Sequence, residues 1–354
     1  RNKGGKMTPK ILQLITSLNI GGTEKFLLTV LENLKDKYDF SVGYLKERGQ
    51  ITDEIEKLGI PVIKFNFFSL VKYLKKNKPQ IIHTHLYRAN IMGRIAGKIA
   101  GTPRIISSQR SIDGWKKFYH IWLDKITSNY CNLLIANSQA AKNILTTREK
   151  IPSQKITVIY NGVELLEQMN SRTAERIFTV GYIGRLHKEK GVCLIPEIIR
   201  IVSEKNKNIK FLIYGDGPEK QNLELSIRNL KLENSVEFLG WQTNLKDVCS
   251  SIDILILPSE EESFPQAALE AMSSGIPVIA SDVGGVSELV EHQKTGLLIK
   301  SKSPESFADA ILSISQDHYC YHHFSENSKT KSSDFKIDKM IDSIDKIYES
   351  FLKK

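Results

Sequence analysis

The sequence predicts an α/β chain built as two parallel-sheet domains, and three observations carry that prediction. Short apolar runs alternate with amphipathic stretches from one end to the other. The runs are continuously apolar rather than alternating, the pattern of strands covered by helices on both faces. The chain has 354 residues, too many for one ordinary domain and enough for two.

Each element has its own signal. Residues 10–15 are an apolar strand. Gly21-Gly22 then opens a helix over 23–34, with Phe26, Leu27, Val30, Leu31 and Leu34 at helical spacing. Strands are predicted at 40–44, 62–65, 81–84, 104–107, 133–137 and 155–159. Helices fall between them at 52–58, around 70–76, and at 89–100, 118–129 and 138–146, the last with Ser138 as N-cap. The second half repeats the alternation, with strands at 178–183, 210–214, 236–239, 253–257, 277–280 and 296–299. Residues 335–354 form an amphipathic terminal helix. These are two Rossmann-like, doubly wound halves, with a boundary expected in the polar stretch 162–176. Ligands of such sheets bind beyond the carboxyl ends of the strands, so two facing domains would share an interdomain cleft.

Composition narrows the class. Charged residues make up 25% of the chain and apolar ones 41%, as in a soluble globular protein. No apolar run reaches the ~18 residues that a spanning helix needs. Residues 1–10 are polar and Gly-rich and carry no leader signal, and Met7 reads as the native start. Four scattered cysteines without a Cys-x-x-Cys suit a reduced, cytoplasmic chain. The net charge of +10 is uneven: residues 1–170 hold 27 Lys and Arg against 13 Asp and Glu, a balance of +14. That asymmetry points to an anionic partner, such as a membrane surface or a phosphorylated acceptor, or merely to a solvated basic surface. No motif that reads nucleic acid accompanies the charge.

The residues that carry chemistry lie just after strands. Glu262 and Glu270 stand eight positions apart across a loop-to-helix junction, between the apolar strands 253–257 and 277–280. Carboxylates are seldom buried there without partners, so the pair is expected to face a polar ligand. In Gly181-Tyr-Ile-Gly-Arg-Leu-His-Lys-Glu-Lys-Gly191, Arg185 and Lys190 sit beside glycines at a strand–loop junction, which suits a diphosphate. It is not a Walker A loop. Tyr214-Gly-Asp-Gly-Pro218 is a tight turn at another strand end. His83-Thr-His85 places two imidazoles on one strand face, but a third ligand is not evident. His318, Cys320, His322 and His323 match no zinc spacing, so no metal site is expected. The run Lys72, Lys75, Lys76, Lys78 reads as a solvated helix face. Joined by Arg104, Arg110, Lys116 and Lys117, it would make a membrane-facing patch.

Together these motifs resemble retaining glycosyltransferase family 4 (glycosyl transferases group 1), whose two-Rossmann architecture is called GT-B. The resemblance rests on Gly-Arg-Leu…Lys-Glu-Lys-Gly at 184–191, Tyr-Gly-Asp-Gly-Pro at 214–218, Glu262-x7-Glu270, the run 270–288 and Thr-Gly-Leu-Leu at 295–298. In the first half Gly21-Gly22-Thr-Glu-Lys, His83-Thr-His85, Asn137-Ser138 and Ile159-Tyr-Asn-Gly-Val163 also match. It spans about residues 10–300.

The resemblance implies an acceptor-side domain at 1–165, a nucleotide-sugar-binding domain at 166–334, and a terminal helix at 335–354 packing back on the first domain. It implies a retaining, metal-independent hexosyltransferase. The transferred sugar would pass from a UDP- or GDP-sugar to a glycan or lipid-linked acceptor, in cell-surface polysaccharide or glycoconjugate synthesis. The enzyme would be cytoplasmic or peripheral on the membrane's cytoplasmic face, with no cofactor beyond its donor substrate. Arg185 and Lys190 would hold the diphosphate, Glu270 the ribose and Glu262 the sugar. Gly21, Gly22, Gly215 and the backbone at Ser263 and Phe264 would let the chain approach the donor closely. His85 and Arg110 would lie on the acceptor side. Two departures stand out. Pro265 replaces a glycine common in relatives and removes one N–H, while suiting a helix start. Arg110 stands where many relatives carry His and cannot act as a base. A nucleotide-sugar 2-epimerase and a non-catalytic sugar-nucleotide scaffold remain open alternatives. A nicotinamide dehydrogenase is disfavoured because Gly-x-Gly-x-x-Gly is missing after the first strand.

Overall fold

The computed structural model describes residues 8–165, 177–242 and 244–353. Met7 and most of the boundary stretch 162–176 lie outside the described residues. The chain forms two compact units, one of residues 1–162 with 337–354 and one of residues 163–336.

Unit 1 contains seven described strands: β1 (Lys10–Ile15), β2 (Asp39–Tyr44), β3 (Val62–Lys64), β4 (Ile81–His85), β5 (Arg104–Gln109), β6 (Leu133–Ala136) and β7 (Ile156–Val158). They form one sheet in the order β3-β2-β1-β4-β5-β6-β7, with every pair parallel. The pleat divides β1 between two cores. Ile11 and Ile15 pack on the side of the helix Gly22–Leu34 and the terminal helix Ile337–Leu352. Leu12 and Leu14 pack on the opposite side with Leu70 and Leu74. Both faces are therefore covered, which explains why the strands read as largely apolar runs.

That division also aims three polar side chains. Gln13, His83 and His85 share the face of Ile11 and Ile15, where the register sets Gln13 opposite His83. All three are fully buried. A network closed from the terminal helix joins them and leaves His85 Nδ1 without a partner. Gln13 Nε2 donates to Tyr348 Oη at 2.9 Å, and His83 Nδ1 lies 2.7 Å from the same oxygen. His83 Nε2 lies 2.8 Å from Ser108 Oγ, and His85 Nε2 lies 2.8 Å from Gln13 Oε1. Because Gln13 Oε1 only accepts, the proton of neutral His85 sits on Nε2.

Unit 2 contains β8 (Phe178–Ile183), β9 (Ile209–Tyr214), β10 (Val236–Gly240), β11 (Ile254–Leu257), β12 (Val278–Ser281) and β13 (Gly296–Ile299). Their order is β10-β9-β8-β11-β12-β13, again parallel throughout. β11 and β12 are buried along their whole length. In each unit the strand order reverses once, between β1 and β4 and between β8 and β11. A doubly wound sheet opens its ligand crevice at that reversal.

Candidate functional site

In unit 2 the reversal brings together the two loops that carry the conspicuous charges. The loop after β8 holds Arg185 and Lys190; the loop after β11 holds Glu262. Lys190 Nζ donates to Glu262 Oε1 at 2.7 Å across 72 positions of sequence. Ser259 Oγ donates to the same oxygen at 3.0 Å. Lys190 keeps two further N–H donors, and both bonds to Glu262 fall on one oxygen.

Backbone contacts hold these loops in register. Glu260 N donates to Glu189 O at 2.9 Å, Leu186 N to Asp216 O at 2.9 Å, and Gly285 N to Glu262 O at 3.0 Å. Two glycines permit the close approach. Gly191 has φ +66°, and a Cβ there would lie 1.8 Å from Pro258 O. Gly215 has φ +149°, and a Cβ there would lie 1.9 Å from Gly184 O. No side chain fits at either position.

Arg185 is the exposed member. Its side chain is 59% exposed and pairs with Glu189, four positions on, at 2.5 Å. An exposed pair of this kind holds weakly, and a dianion competes well for the guanidinium. Glu270 is buried on the helix Gln266–Ser273, with Gln266 Nε2 3.3 Å from its Oε1. Ser263 and Phe264 are buried, and the Phe264 ring packs against Phe335 at 5.2 Å. Pro265 occupies the N-cap with φ −75° and ψ 105°, one position before the first helical residue where proline was expected. The helix therefore starts without the N–H that proline lacks, which an N-cap does not need to supply.

In unit 1, Gly21 is the N-cap of the helix Gly22–Leu34 after β1, and the space beside Gly22 is open. His85, expected on the acceptor side, has no exposed surface, being covered by Gln13 and Phe26. Burial pushes its imidazole well below the usual range, helped by His83 and Arg110. Burial and Arg110 likewise push His83 down to about 3, so both rings are neutral.

Arg110 follows β5 and is 9% exposed. Its Nη2 donates to Asn161 Oδ1, and its guanidinium carbon lies 3.5 Å from the Phe26 ring centre. Its Nη1 has no hydrogen-bond partner and no carboxylate pairs with it among the described residues. Burial pushes it down to about 9, still a cation at neutral pH. Arg94 and Lys116, also buried, share Asp124 at 2.5 and 2.7 Å; Lys116 adds Glu149 at 2.9 Å. Arg110 and Lys116 therefore do not join the expected surface patch with Lys72, Lys75, Lys76 and Lys78, which are exposed.

Among the described residues no three His, Cys, Asp or Glu side chains converge as a metal-holding group. His318, Cys320, His322 and His323 lie along the first turns of the helix His318–Ser332. Sequence reasoning missed Ser259, Glu189, Asn161 and Tyr348. Glu189 left a signal, four residues after Arg185, and Asn161 lies in the motif Ile159-Tyr-Asn-Gly-Val163.

Comparison with known proteins shows the family. Residues 20–166 match the family model described as Glycosyltransferase Family 4, and residues 167–331 match that of Glycosyl transferases group 1. The chain is 28% identical to the Escherichia coli UDP-Gal:alpha-D-GlcNAc-diphosphoundecaprenol alpha-1,3-galactosyltransferase, over 93% of this chain and 94% of that one. It is 25% identical to a Campylobacter jejuni alpha-1,4-N-acetyl-D-galactosaminyltransferase acting on a PP-undecaprenol-linked glycan, over 93% and 95%. Among solved structures it resembles Anabaena HepE in complex with UDP-glucose, with a TM-score of 0.85 and 24% identity over 96% of this chain and 99% of that one.

Proposed function

We propose, on the premise that the chain belongs to glycosyltransferase family 4 and is a glycosyltransferase of the GT-B fold, that it moves a hexose-type sugar from a nucleotide diphosphate sugar to a glycan or lipid-linked acceptor with retention at the anomeric carbon. The observation that carries this reading is the Lys190–Glu262 pair at the strand reversal of unit 2. One ammonium N–H goes to Glu262, leaving two for diphosphate oxygens, while Glu262 Oε2 is left for a sugar hydroxyl. Arg185 exchanges Glu189 for the diphosphate and answers the charge that builds on the leaving group. Glu270 takes the ribose hydroxyls. The acceptor hydroxyl attacks the face from which the diphosphate departs, and the departing phosphate accepts its proton. Charge stabilisation by Arg185 and Lys190 makes a metal dispensable. A uridine diphosphate donor is favoured by the names of the E. coli relative and of the HepE complex.

On the acceptor side the reading assigns Arg110 to a phosphate of a lipid-linked acceptor. Both bacterial relatives act on diphosphate-linked lipids, and the buried guanidinium lacks an anion of its own. Reaction at an anionic membrane surface follows from such an acceptor.

A thermal-shift panel of UDP-, GDP- and ADP-sugars identifies the donor, since a tight ligand stabilises the fold by mass action. Transfer by a folded Arg185→Ala/Lys190→Ala variant is expected to fall by at least about a hundredfold. Turnover at the wild-type rate in that variant refutes the site. Conversion of the sugar nucleotide without acceptor, to its 2-epimer, refutes the reaction.

A further inference from the structure

The helix Phe118–Ser128 is inside out. The side it buries carries Asp124, Thr127 and Ser128. The side it exposes carries Phe118, Trp122 and Ile126, at positions i, i+4 and i+8, with Phe118 82% and Trp122 61% exposed. The polar inner side has an internal cause, because Asp124 answers Arg94 and Lys116. The apolar outer stripe has none: nothing within unit 1 covers it.

Two neighbouring helices also expose apolar side chains. The helix Tyr87–Ala100 packs beside it, and the helix Phe67–Asn77 packs beside that one. Ile99 and Phe68 are exposed on those two helices, 53% and 81% respectively. They line one groove with Lys72, Lys75 and Lys76. Residues 57–112 hold eleven Lys and Arg and no Asp or Glu.

We propose that this three-helix face of unit 1 docks on the surface of an anionic phospholipid bilayer. Aromatic rings lie comfortably at headgroup depth, and lysines lay their stems along apolar surface while their ammonium groups meet lipid phosphates. Among the described residues no helix is long and apolar enough to cross a membrane, so the face lies on the bilayer and does not span it. Charge decides against a second copy of the chain, since a two-fold contact would set lysine against lysine with no acid on either side. The docking itself is independent of the reaction. Only its use, delivering unit 1 to a lipid-linked acceptor, rests on the proposed function.

The test is co-sedimentation of the full chain with vesicles of phosphatidylcholine, with or without phosphatidylglycerol, in the absence of sugar nucleotide and acceptor. Binding is expected only with phosphatidylglycerol, with release by high salt and a blue shift of tryptophan emission. Lys72→Gln/Lys75→Gln/Lys76→Gln is expected to weaken partitioning by about a hundredfold. Phe118→Ser/Trp122→Ser is expected to weaken it by at least about tenfold. All five side chains are exposed, and circular dichroism checks that both variants fold. Binding unchanged in either variant, or absent from anionic vesicles at low salt, overturns the proposal. So does a dimer in sedimentation equilibrium that the aromatic variant dissolves, or tighter binding to single-stranded RNA than to vesicles. Loss of transfer activity with vesicle binding intact leaves docking standing and counts against the reaction alone.

Discussion

Replacing His83 by Gln should remove a large part of the acid sensitivity of unit 1. His83 has no exposed surface and sits between Tyr348 Oη at 2.7 Å and Ser108 Oγ at 2.8 Å. Burial and the nearby Arg110 charge lower it from 6.5 to about 3. The unfolded chain therefore takes up a proton near pH 6.5 that the folded chain refuses. The stabilisation is complete above that pH and is lost as pH falls toward about 3. At about pH 5 the loss is 1.5 pH units at 1.36 kcal/mol each, about 2 kcal/mol from His83 alone. His85, buried and lowered in the same direction, adds a loss of the same sign. Against a typical domain stability of roughly 5–15 kcal/mol, this is visible in a urea midpoint. The assay is urea unfolding at neutral pH and at about pH 5, for wild type and His83→Gln, so that contributions from unit 2 cancel in the comparison. The variant should lose about 2 kcal/mol less between the two pH values. Parallel losses in the two proteins, or a protonated His83 imidazole by nitrogen NMR at about pH 5 in the folded wild type, would refute the reasoning.

Two further substitutions should act in opposite directions on stability. Asp124→Ala strips a buried carboxylate from Arg94 and Lys116, whose side chains are 1% and 0% exposed, and should cost about 3–5 kcal/mol in a urea titration. Arg110→Gln removes a buried guanidinium that has no carboxylate, and should leave the melting temperature unchanged or raised while lowering transfer to a diphosphate-linked acceptor. A destabilisation as large as that of Asp124→Ala would show that Arg110 is structural.

Much of the fold was legible because its signal is local. A parallel strand buried on both faces is a largely apolar run, so β1, β11 and β12 declare themselves in four to six residues. Ser138 was legible as a cap, and its Oγ accepts from Ala141 N at 3.0 Å. Arg185 and Lys190 were legible as charges beside glycines at a strand end, and Glu262 and Glu270 as carboxylates between two apolar strands. Partners set by topology were not. Glu262 and Lys190 meet only because β8 and β11 are neighbours in the sheet. Tyr348 reaches His83 from 265 residues away, so nothing near His83 predicts a closed network instead of an accessible imidazole. The range of the helix Phe118–Ser128 was readable from its composition. Which side it buries was not, because that is decided by Arg94 in another helix.

The two buried guanidiniums of unit 1 separate architecture from function. Arg94 is fully enclosed, and its contacts offset its desolvation: a carboxylate oxygen at 2.5 Å, Ser107 Oγ at 2.9 Å and Thr127 Oγ1 at 3.3 Å. Burial opposes its charge most, but Asp124 together with Cys131 and Glu149 outweighs it and raises the group above its ordinary value. Nothing outside the fold is required to explain it. Arg110 is nearly as deeply placed, yet it has one amide oxygen and one aromatic face. A cation over a desolvated ring gains about 2 kcal/mol, against a burial penalty of several kcal/mol for an unpaired ion. The shortfall shows in the sign of the shift, downward for Arg110 and upward for Arg94. An anion bound beside Arg110 would supply the compensation that the fold does not. Arg94 holds the helix that presents the aromatic stripe, whereas Arg110 has no carboxylate partner among the described residues.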